Sequence, residues 1–471
     1  MGALVATTAA ACLTLSTVGA AAADTSTTDD PVAAAAGWLA SGFVDGERLE
    51  GDFGPDAGLT ADAVFALAGA GVAGDELAAA STWLATQVPT YTQGQPFDGP
   101  DTVYAGATAK LILALLADGR DVTDVGGVDL VAQLEGREQA ADADEPGRFT
   151  DRSDYGEFSS TLTQSLAVLA LATVDGAAPS DAAVRFLLDQ RCSDGGFRFD
   201  PAEGGCTSSA DTTGFAVQAL LGHGSPETVG AAYDAVRWLL TSQAADGGID
   251  ANANSTGLAA VAFALTSAEV VGATDGRDAA RSFLLDLQLG CDADAPGAIA
   301  FAADDRGDLP RATAQALPGL TGVRIAAART SGASSDVPLL DCEAAAPDEP
   351  GDDDGADTDG GGTDGHAPGD DDRPVGSDGD DGAAVDRAAD GGDGAAVDRA
   401  ADGGDDAETR VDDDTTTDGP RPTHVASGLG GAAGPGSVWL LALLGVGVLA
   451  VALGLPLRYR RSASEGTGAG R

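Results

Sequence analysis

The stretch AVRWLLTSQAADGGIDANANSTGLAAVAFAL, residues 235 to 265, contains the pattern that decides the fold. An amphipathic run around Trp238 is followed by Gln243, an Asp-Gly-Gly turn at 246 to 248, and a run that is apolar on nearly every side. Both runs have helical spacing, so the stretch predicts an amphipathic helix, a tight turn and a more deeply buried helix. The glycine pair favours the turn because glycine adopts the left-handed backbone that follows many helices.

The same hairpin recurs along the chain. Apolar runs of similar sequence end at residues 67, 115, 171, 220, 265 and 317, about 50 residues apart, and a more amphipathic run precedes each of them. Self-similarity at a fixed period marks a repeat architecture. We therefore predict an all-α fold over residues 31 to 346, an α/α toroid in which six helical hairpins form an inner and an outer ring; an open solenoid is the alternative. Ser, Thr and Asp at the starts of the inner helices favour N-capping.

The turn motifs resemble the repeats of the prenyltransferase and squalene cyclase superfamily. QRCSDGGF at 190 to 197 and QAADGGI at 243 to 249 each follow an aromatic residue four or five positions before the glutamine, and looser copies occur at Gln87 and Gln288. The resemblance covers about 300 of the 471 residues and implies a terpenoid cyclase-like toroid. In these turns we expect left-handed backbone at both glycine pairs, and Phe197 and Ile249 packed on the neighbouring repeat.

The catalytic motifs that the resemblance implies are absent from the repeat region. Squalene-type cyclases protonate an alkene with a DxDD motif inside a dry aromatic cavity, and the match at 378 to 381 lies in an acidic tail. Prenyltransferases hold zinc with Asp, Cys and His, but the repeats contain one histidine, His223. A capping or surface role is the simpler interpretation of His223. We predict no metal and no cofactor, with zinc bound by a cysteine pair as the alternative.

Four cysteines lie beyond the first 23 residues, namely Cys192, Cys206, Cys291 and Cys342. An even number in an exported domain predicts two disulfides, for which three pairings exist. We favour Cys192 with Cys206, closing a glycine-rich linker, and Cys291 with Cys342, tying the last repeat to the segment that follows it.

The two ends of the chain read as targeting and anchoring segments. Residues 1 to 23 form an apolar run that closes on three alanines, which predicts a signal peptide. Residues 437 to 457 are apolar and uncharged, long enough for one transmembrane helix, and the arginines of the tail at 458 to 471 predict a cytoplasmic end. We expect a single-pass protein of the cell membrane whose N-terminal domain is extracellular.

The segment between domain and span, residues 347 to 436, predicts a disordered acidic stalk. Residues 347 to 420 contain 26 acidic and 4 basic residues and almost no large apolar side chain. Such a segment buries too little surface to offset the entropy lost on ordering. The formal net charge of the chain is −50 and Lys110 is its single lysine, so nucleic acid is excluded as a partner.

These observations predict a cell-surface binding or interaction domain without catalysis, whose toroid cavity takes a small or lipid-like ligand or a cell-wall component. The alternative is a diverged terpenoid cyclase or prenyltransferase-like enzyme. Candidate cavity residues are polar side chains near the starts of the inner helices: Asp62, Tyr104, Tyr155, Gln164, Asp211, Asn254 and Arg311.

Overall fold

The structure, a computed structural model, describes residues 25 to 201 and 204 to 343, and twelve α-helices form the framework of this part of the chain. They alternate between an outer and an inner set, as the repeat predicts. The outer helices are α1 (Pro31–Ser41), α3 (Gly74–Ala85), α5 (Leu130–Glu135), α7 (Asp181–Asp189), α9 (Pro226–Ser242) and α11 (Ala273–Asp286). The inner helices are α2 (Ala57–Ala70), α4 (Ala105–Ala117), α6 (Thr161–Thr173), α8 (Ala210–His223), α10 (Ala253–Leu265) and α12 (Leu309–Thr321).

The inner helices close into a ring. Each packs against the next inner helix along the chain, and α12 packs against α2, so the last repeat meets the first. Helix α1 also packs against α12, which places the first outer helix across the closure. The architecture is therefore a closed toroid and not the open solenoid.

Burial follows the two classes of helix. In α2 every residue from 57 to 67 is buried, whereas α7 buries only Ala183, Val184 and Leu187. Small residues let the inner helices approach closely: a Cβ on Gly257 of α10 would lie 2.4 Å from the Gln315 carbonyl oxygen of α12. Glycine and alanine in the inner runs therefore set the spacing of the ring.

The glutamine of the turn motif joins two of the repeats to the next outer helix. The Gln243 Nε2 donates to the Gly247 oxygen at 2.9 Å and to the Gly276 oxygen of α11 at 2.8 Å. Gln288 repeats this arrangement at the ring closure, where its Nε2 donates to the Pro31 oxygen at 2.6 Å. Left-handed backbone was expected at both residues of each glycine pair, but only the first residue has it, with φ of 91° at Gly247. The second position requires glycine for a different reason, because a Cβ on Gly248 would collide with the Phe283 ring.

Threonines in the first turns of the inner helices bind the turn instead of capping the helix. The backbone N–H of Ile249 donates to the Thr256 Oγ1 at 2.9 Å, and the N–H of Phe197 donates to the Thr213 Oγ1 at the same distance. Ile249 and Phe197 are fully buried, as expected. The capping side chains lie further upstream: Asp56, Ser209, Asn252 and Asp308.

The structure also contains three two-stranded sheets, which the all-α prediction did not include. Parallel strands β1 (Thr25–Thr28) and β6 (Val337–Leu340) pair beside α1, so the fold extends upstream of the predicted start at 31. Two short antiparallel pairs lie in turns: β2 (Glu50–Gly51) with β3 (Gly54–Pro55), and β4 (Phe197–Arg198) with β5 (Ser208–Ser209).

Residues 322 to 336, which we call the strap, cross the ring at the C-terminal ends of the inner helices. The N–H of Ile325 donates to the Gln218 Oε1 of α8, and the N–H of Thr330 donates to the Ala117 oxygen of α4. The N–H of Ser334 then donates to the Gly71 oxygen, just beyond α2. The strap thus closes this end of the ring.

Both favoured disulfides are present, Cys192 to Cys206 and Cys291 to Cys342. The second joins the turn after α11 to the residues that follow β6. Across residues 25 to 201 and 204 to 343 no helix has the length and apolar character needed to cross a membrane. The predicted signal peptide, acidic linker, transmembrane helix and tail lie outside the described residues.

Candidate functional site

A small cavity of about 20 Å³ lies at the centre of the ring. That volume accommodates about one water molecule, whereas pockets for drug-sized ligands measure roughly 300 to 1,000 Å³. Its walls come from α2, α8, α10, α12 and the strap. The lining residues are Asp62, Phe65, Phe215, Gln218, Gly257, Leu258, Val261, Ala314, Gln315, Pro318 and Ile325.

Asp62, the acidic member of this lining, is paired with a buried lysine. The Lys110 Nζ lies 2.6 Å from the Asp62 Oδ1, and the Lys110 side chain is only 2% exposed. The Gln315 Nε2 donates to the other oxygen, Oδ2, at 3.4 Å. Burial lowers the pKa of Lys110, and the adjacent Asp62 carboxylate opposes that shift.

A second ion pair lies beside the first. The Arg311 guanidinium donates to the Asp56 Oδ2 at 3.0 Å. Burial acts to lower the pKa of Arg311, but the carboxylates of Asp62 and Asp56 outweigh it and raise the value. Burial acts to raise the pKa of Asp56, but the Leu59 N–H and Arg311 reverse that effect and hold it below the usual value.

We call Asp56, Asp62, Lys110 and Arg311 the central charge cluster. It contains two acids and two bases, so their formal charges balance. Tyr91 is buried near it, and its hydroxyl has no hydrogen-bond partner among the residues that the structure describes. Burial and the two carboxylates raise the pKa of Tyr91 well above its usual value. Asp62 accepts on both oxygens, so the cluster offers no free acid to the cavity.

Asp211 and Asn254 lie in the first turns of neighbouring inner helices, α8 and α10. Asp211 is not the N-cap of α8, because Ser209 holds that position. The Asp211 Oδ1 is buried without a donor, and burial raises the pKa of this carboxyl although a hydrogen bond with Ser255 opposes the shift. The Oδ1 of Asn254 also lacks a donor within the described part of the chain, and Asn254 is 7% exposed.

Tyr104 and Tyr155 stabilise loops at the same end of the ring. The Tyr104 hydroxyl donates to the Asp98 Oδ2 at 2.5 Å, and the Tyr155 hydroxyl donates to the Phe97 oxygen at 2.8 Å. Burial acts to raise the pKa of Asp98, but hydrogen bonds from Ser153 and Tyr104 outweigh it and hold the value at about 2. Tyr155 therefore joins the loop before α6 to the loop before α4, whereas the Tyr104 contact lies within the loop before α4.

Gln164 has a structural role. Its Oε1 accepts from the Phe149 N–H at 2.9 Å, and its Nε2 donates to the Gly147 and Ala183 oxygens, each at 2.9 Å. Its amide makes the contacts that a threonine and the motif glutamine make in other repeats. Gln164 is not part of the cavity lining.

Asp151 accepts a hydrogen bond from the N–H of Ala105, the first residue of α4, at 2.7 Å. Burial raises its pKa to about 7, and the nearby Glu157 carboxylate adds to the shift, against the opposing N–H groups of Ala105 and Phe158. A protonated carboxyl at this position retains the oxygen that receives the helix N–H.

We expect Asp151→Asn to stabilise the protein at pH 8 and to leave its stability unchanged at pH 4. Because the pKa of Asp151 is higher in the folded state, the folded wild type binds more protons than the unfolded chain between these pH values. Its free energy of unfolding therefore falls by up to about 1.4 kcal/mol for each pH unit of increase. Residual solvent contact should keep the measured effect below that limit. The test is urea unfolding at pH 4, 6 and 8. Asp278→Asn, on the exposed face of α11, is the control; equal slopes for the two variants would contradict the assignment.

Within the described ranges no group of three or more His, Cys, Asp or Glu side chains could hold a metal ion. His223, the histidine considered for zinc, lies at the end of α8, and its Nδ1 is 3.4 Å from the Thr228 Oγ1. All four cysteines of the described ranges are in disulfides, so zinc bound by a cysteine pair does not fit these residues.

The structure brings Asp62 and Arg311 together, and it adds Asp56, Lys110 and Gln315, which the sequence analysis did not select as site residues. A signal was available for Lys110. It lies in AGATAKLILALLA, a run that is otherwise apolar or small, and a charge buried on all sides requires a partner. Asp62 in ADAVFAL has the same character.

The closed ring and the alternating helices together define an α/α toroid of six helical hairpins. No protein-family model matches the chain, and no curated protein matches it in sequence.

Among solved structures the chain is similar to the type II terpene cyclase MstE from Scytonema, with 16% identity over 62% of this chain and 97% of that one and a TM-score of 0.45. It is also similar to the ent-copalyl diphosphate synthase from Streptomyces platensis, with 20% identity over 57% of this chain and 50% of that one and a TM-score of 0.40. A protein from Actinoplanes gives 17% identity, coverage of 62% and 98%, and a TM-score of 0.42. The toroid assignment itself rests on the helix contacts described above.

Proposed function

We propose that the toroid is a non-catalytic binding domain displayed at the cell surface. The Asp62 to Lys110 ion pair carries this proposal. Cyclisation by alkene protonation needs an acid with a proton to give, and the acidic residue of the cavity lining accepts from Lys110 and Gln315 instead.

The size of the central cavity supports the same proposal. A space for about one water cannot enclose a terpenoid chain or a comparable small ligand in this conformation. We therefore propose that a ligand binds at the surface of the toroid, and the expectation of a ligand inside the ring stays a prediction.

Display at the surface rests on the sequence. A signal peptide at 1 to 23, an acidic stalk at 347 to 436 and a membrane helix at 437 to 457 would hold the toroid outside the cell on a flexible spacer. Protease added to intact cells should then release the toroid by cleavage within the stalk.

A diverged cyclase or transferase is the second candidate, and Asp211 favours it. This carboxyl has a raised pKa and an oxygen without a donor, which are properties of a group that can hold and release a proton.

The test is incubation of the full-length protein with squalene, oxidosqualene and prenyl diphosphates, with and without zinc or magnesium, followed by mass spectrometry. We expect no product. A product that disappears in Asp211→Asn but persists in Asp234→Asn, an exposed position on α9, would establish the enzyme and overturn the binding domain.

A further inference from the structure

Four exposed phenylalanines recur in successive repeats at one end of the ring. Phe53, Phe97, Phe158 and Phe199 are between 39% and 76% exposed, and each lies in the loop that leads into an inner helix. We call these four residues the aromatic rim. Exposed aromatic side chains that recur in four successive loops form a candidate binding surface.

Contacts between neighbouring loops show that the rim lies on one end of the toroid. The Tyr155 hydroxyl of the third loop donates to the Phe97 oxygen of the second, and the Thr161 N–H of the third repeat donates to the Phe199 oxygen of the fourth at 2.9 Å. Arg311, in the first turn of α12, joins the sixth repeat to Asp56 of the first loop. This is the end opposite to the strap.

Each rim phenylalanine is next to an acidic residue in sequence. The pairs are Asp52 with Phe53, Phe97 with Asp98, Glu157 with Phe158, and Phe199 with Asp200. The first loop, residues 42 to 56, contains five carboxylates and one arginine, and the second, residues 86 to 104, contains two carboxylates and no basic residue. The rim is therefore aromatic and negatively charged.

Two buried acceptors at the same end lack donors. The Oδ1 atoms of Asp211 and Asn254, in the first turns of α8 and α10, have no hydrogen-bond partner among the described residues. Acceptors without donors are unfavourable when buried, and an ammonium group brings three N–H donors.

We propose that the aromatic rim and its carboxylates bind an extended, lysine- and arginine-rich polypeptide segment. This rests on the proposed function and names its ligand class. Cations are attracted to the faces of aromatic rings and to carboxylates, whereas nucleic acid and anionic membranes are repelled. Because the rings lie on four successive repeats, a chain with several cations can reach more of them than a single small cation can.

The test measures binding of fluorescein-labelled octalysine to the full-length protein by fluorescence anisotropy at 150 mM salt. The rim variant carries Phe53→Ser, Phe97→Ser, Phe158→Ser and Phe199→Ser and retains every carboxylate. We expect it to bind at least tenfold more weakly than wild type. Because the acidic segment 347 to 420 also attracts the peptide, each titration is fitted with a rim site and a stalk site, and the expected and contradicting changes both refer to the affinity of the rim site.

Val271→Ser is the matched control, because Val271 is 97% exposed in the turn between α10 and α11. It should bind like wild type, and circular dichroism melts should show that both variants fold. Binding of the rim variant within twofold of wild type would overturn the proposal. So would binding of chitohexaose or phosphatidylcholine vesicles that depends on the same four rings while octalysine binding does not.

The two proposals fail separately. A terpenoid product together with rim-dependent octalysine binding would overturn only the absence of catalysis. No product together with rim-independent binding would overturn only the ligand class.

Discussion

Replacing Lys110 with methionine is expected to lower the free energy of unfolding by about 3 to 5 kcal/mol. The substitution keeps the length of the side chain but leaves the Asp62 carboxylate, 2.6 Å from the lost ammonium, buried beside an apolar group. Removing one partner of a buried pair leaves a charge without compensation, and that penalty exceeds the loss of the attraction itself. Urea unfolding followed by circular dichroism measures the change.

A double variant distinguishes the cost of an unpaired buried charge from a general packing defect. Lys110→Met with Asp62→Leu removes both charges and should recover most of the lost stability, because an apolar pair of similar volume is often as stable as a buried ion pair. Arg237→Gln breaks an exposed pair with Asp234 on α9 and should change stability by less than about 1 kcal/mol. Additive losses in the double variant would contradict the ion-pair explanation.

Gly247→Ala is expected to produce the second large loss. Gly247 has a φ of 91°, and a Cβ there would lie 2.2 Å from the Ala279 oxygen of α11. Left-handed backbone disfavours alanine by about 1 to 2 kcal/mol, and forcing the turn away from α11 should add about 1 to 3 kcal/mol. The free energy of unfolding of the full-length protein is again the measurement.

Gly332→Ala is the matched control for this substitution. Its φ is 89°, and a Cβ there meets nothing within 4 Å. Its loss of unfolding free energy should contain only the cost of placing alanine in left-handed backbone. The change in the entropy of the unfolded chain is the same for both variants. Equal losses for the two glycines would mean that the turn does not pack against α11 as the structure shows.

The fold could be predicted because its determinants are local. The glutamine, the glycine pair and the alternation of amphipathic and apolar runs all lie within about 30 residues, so QAADGGI followed by VAFAL identifies a hairpin without any distant contact. Ring closure is different, because the contact of α12 with α2 joins residues about 250 positions apart and no local pattern encodes it.

The site was harder to predict because polar side chains at equivalent positions of different repeats have different surroundings. Gln164 and Arg311 both lie in the first turn of an inner helix, yet Gln164 binds a turn and Arg311 forms an ion pair with Asp56. Only the neighbouring helices distinguish these roles. Lys110 was visible as a single lysine, but its partner is in the preceding repeat, 48 residues away.

The disulfide between Cys291 and Cys342 would have a mechanical consequence if the domain is held by its C-terminal end, as we propose. Tension that enters the domain at Cys342 passes through the covalent bond to Cys291, so the intervening β6, strap and α12 lie off the load path. Reduction would redirect the force, peeling β6 from β1 first and then pulling the strap and α12 away from the ring. With the disulfide intact the toroid would resist stretching as a single unit. After reduction it would open at α12, the helix that closes the ring.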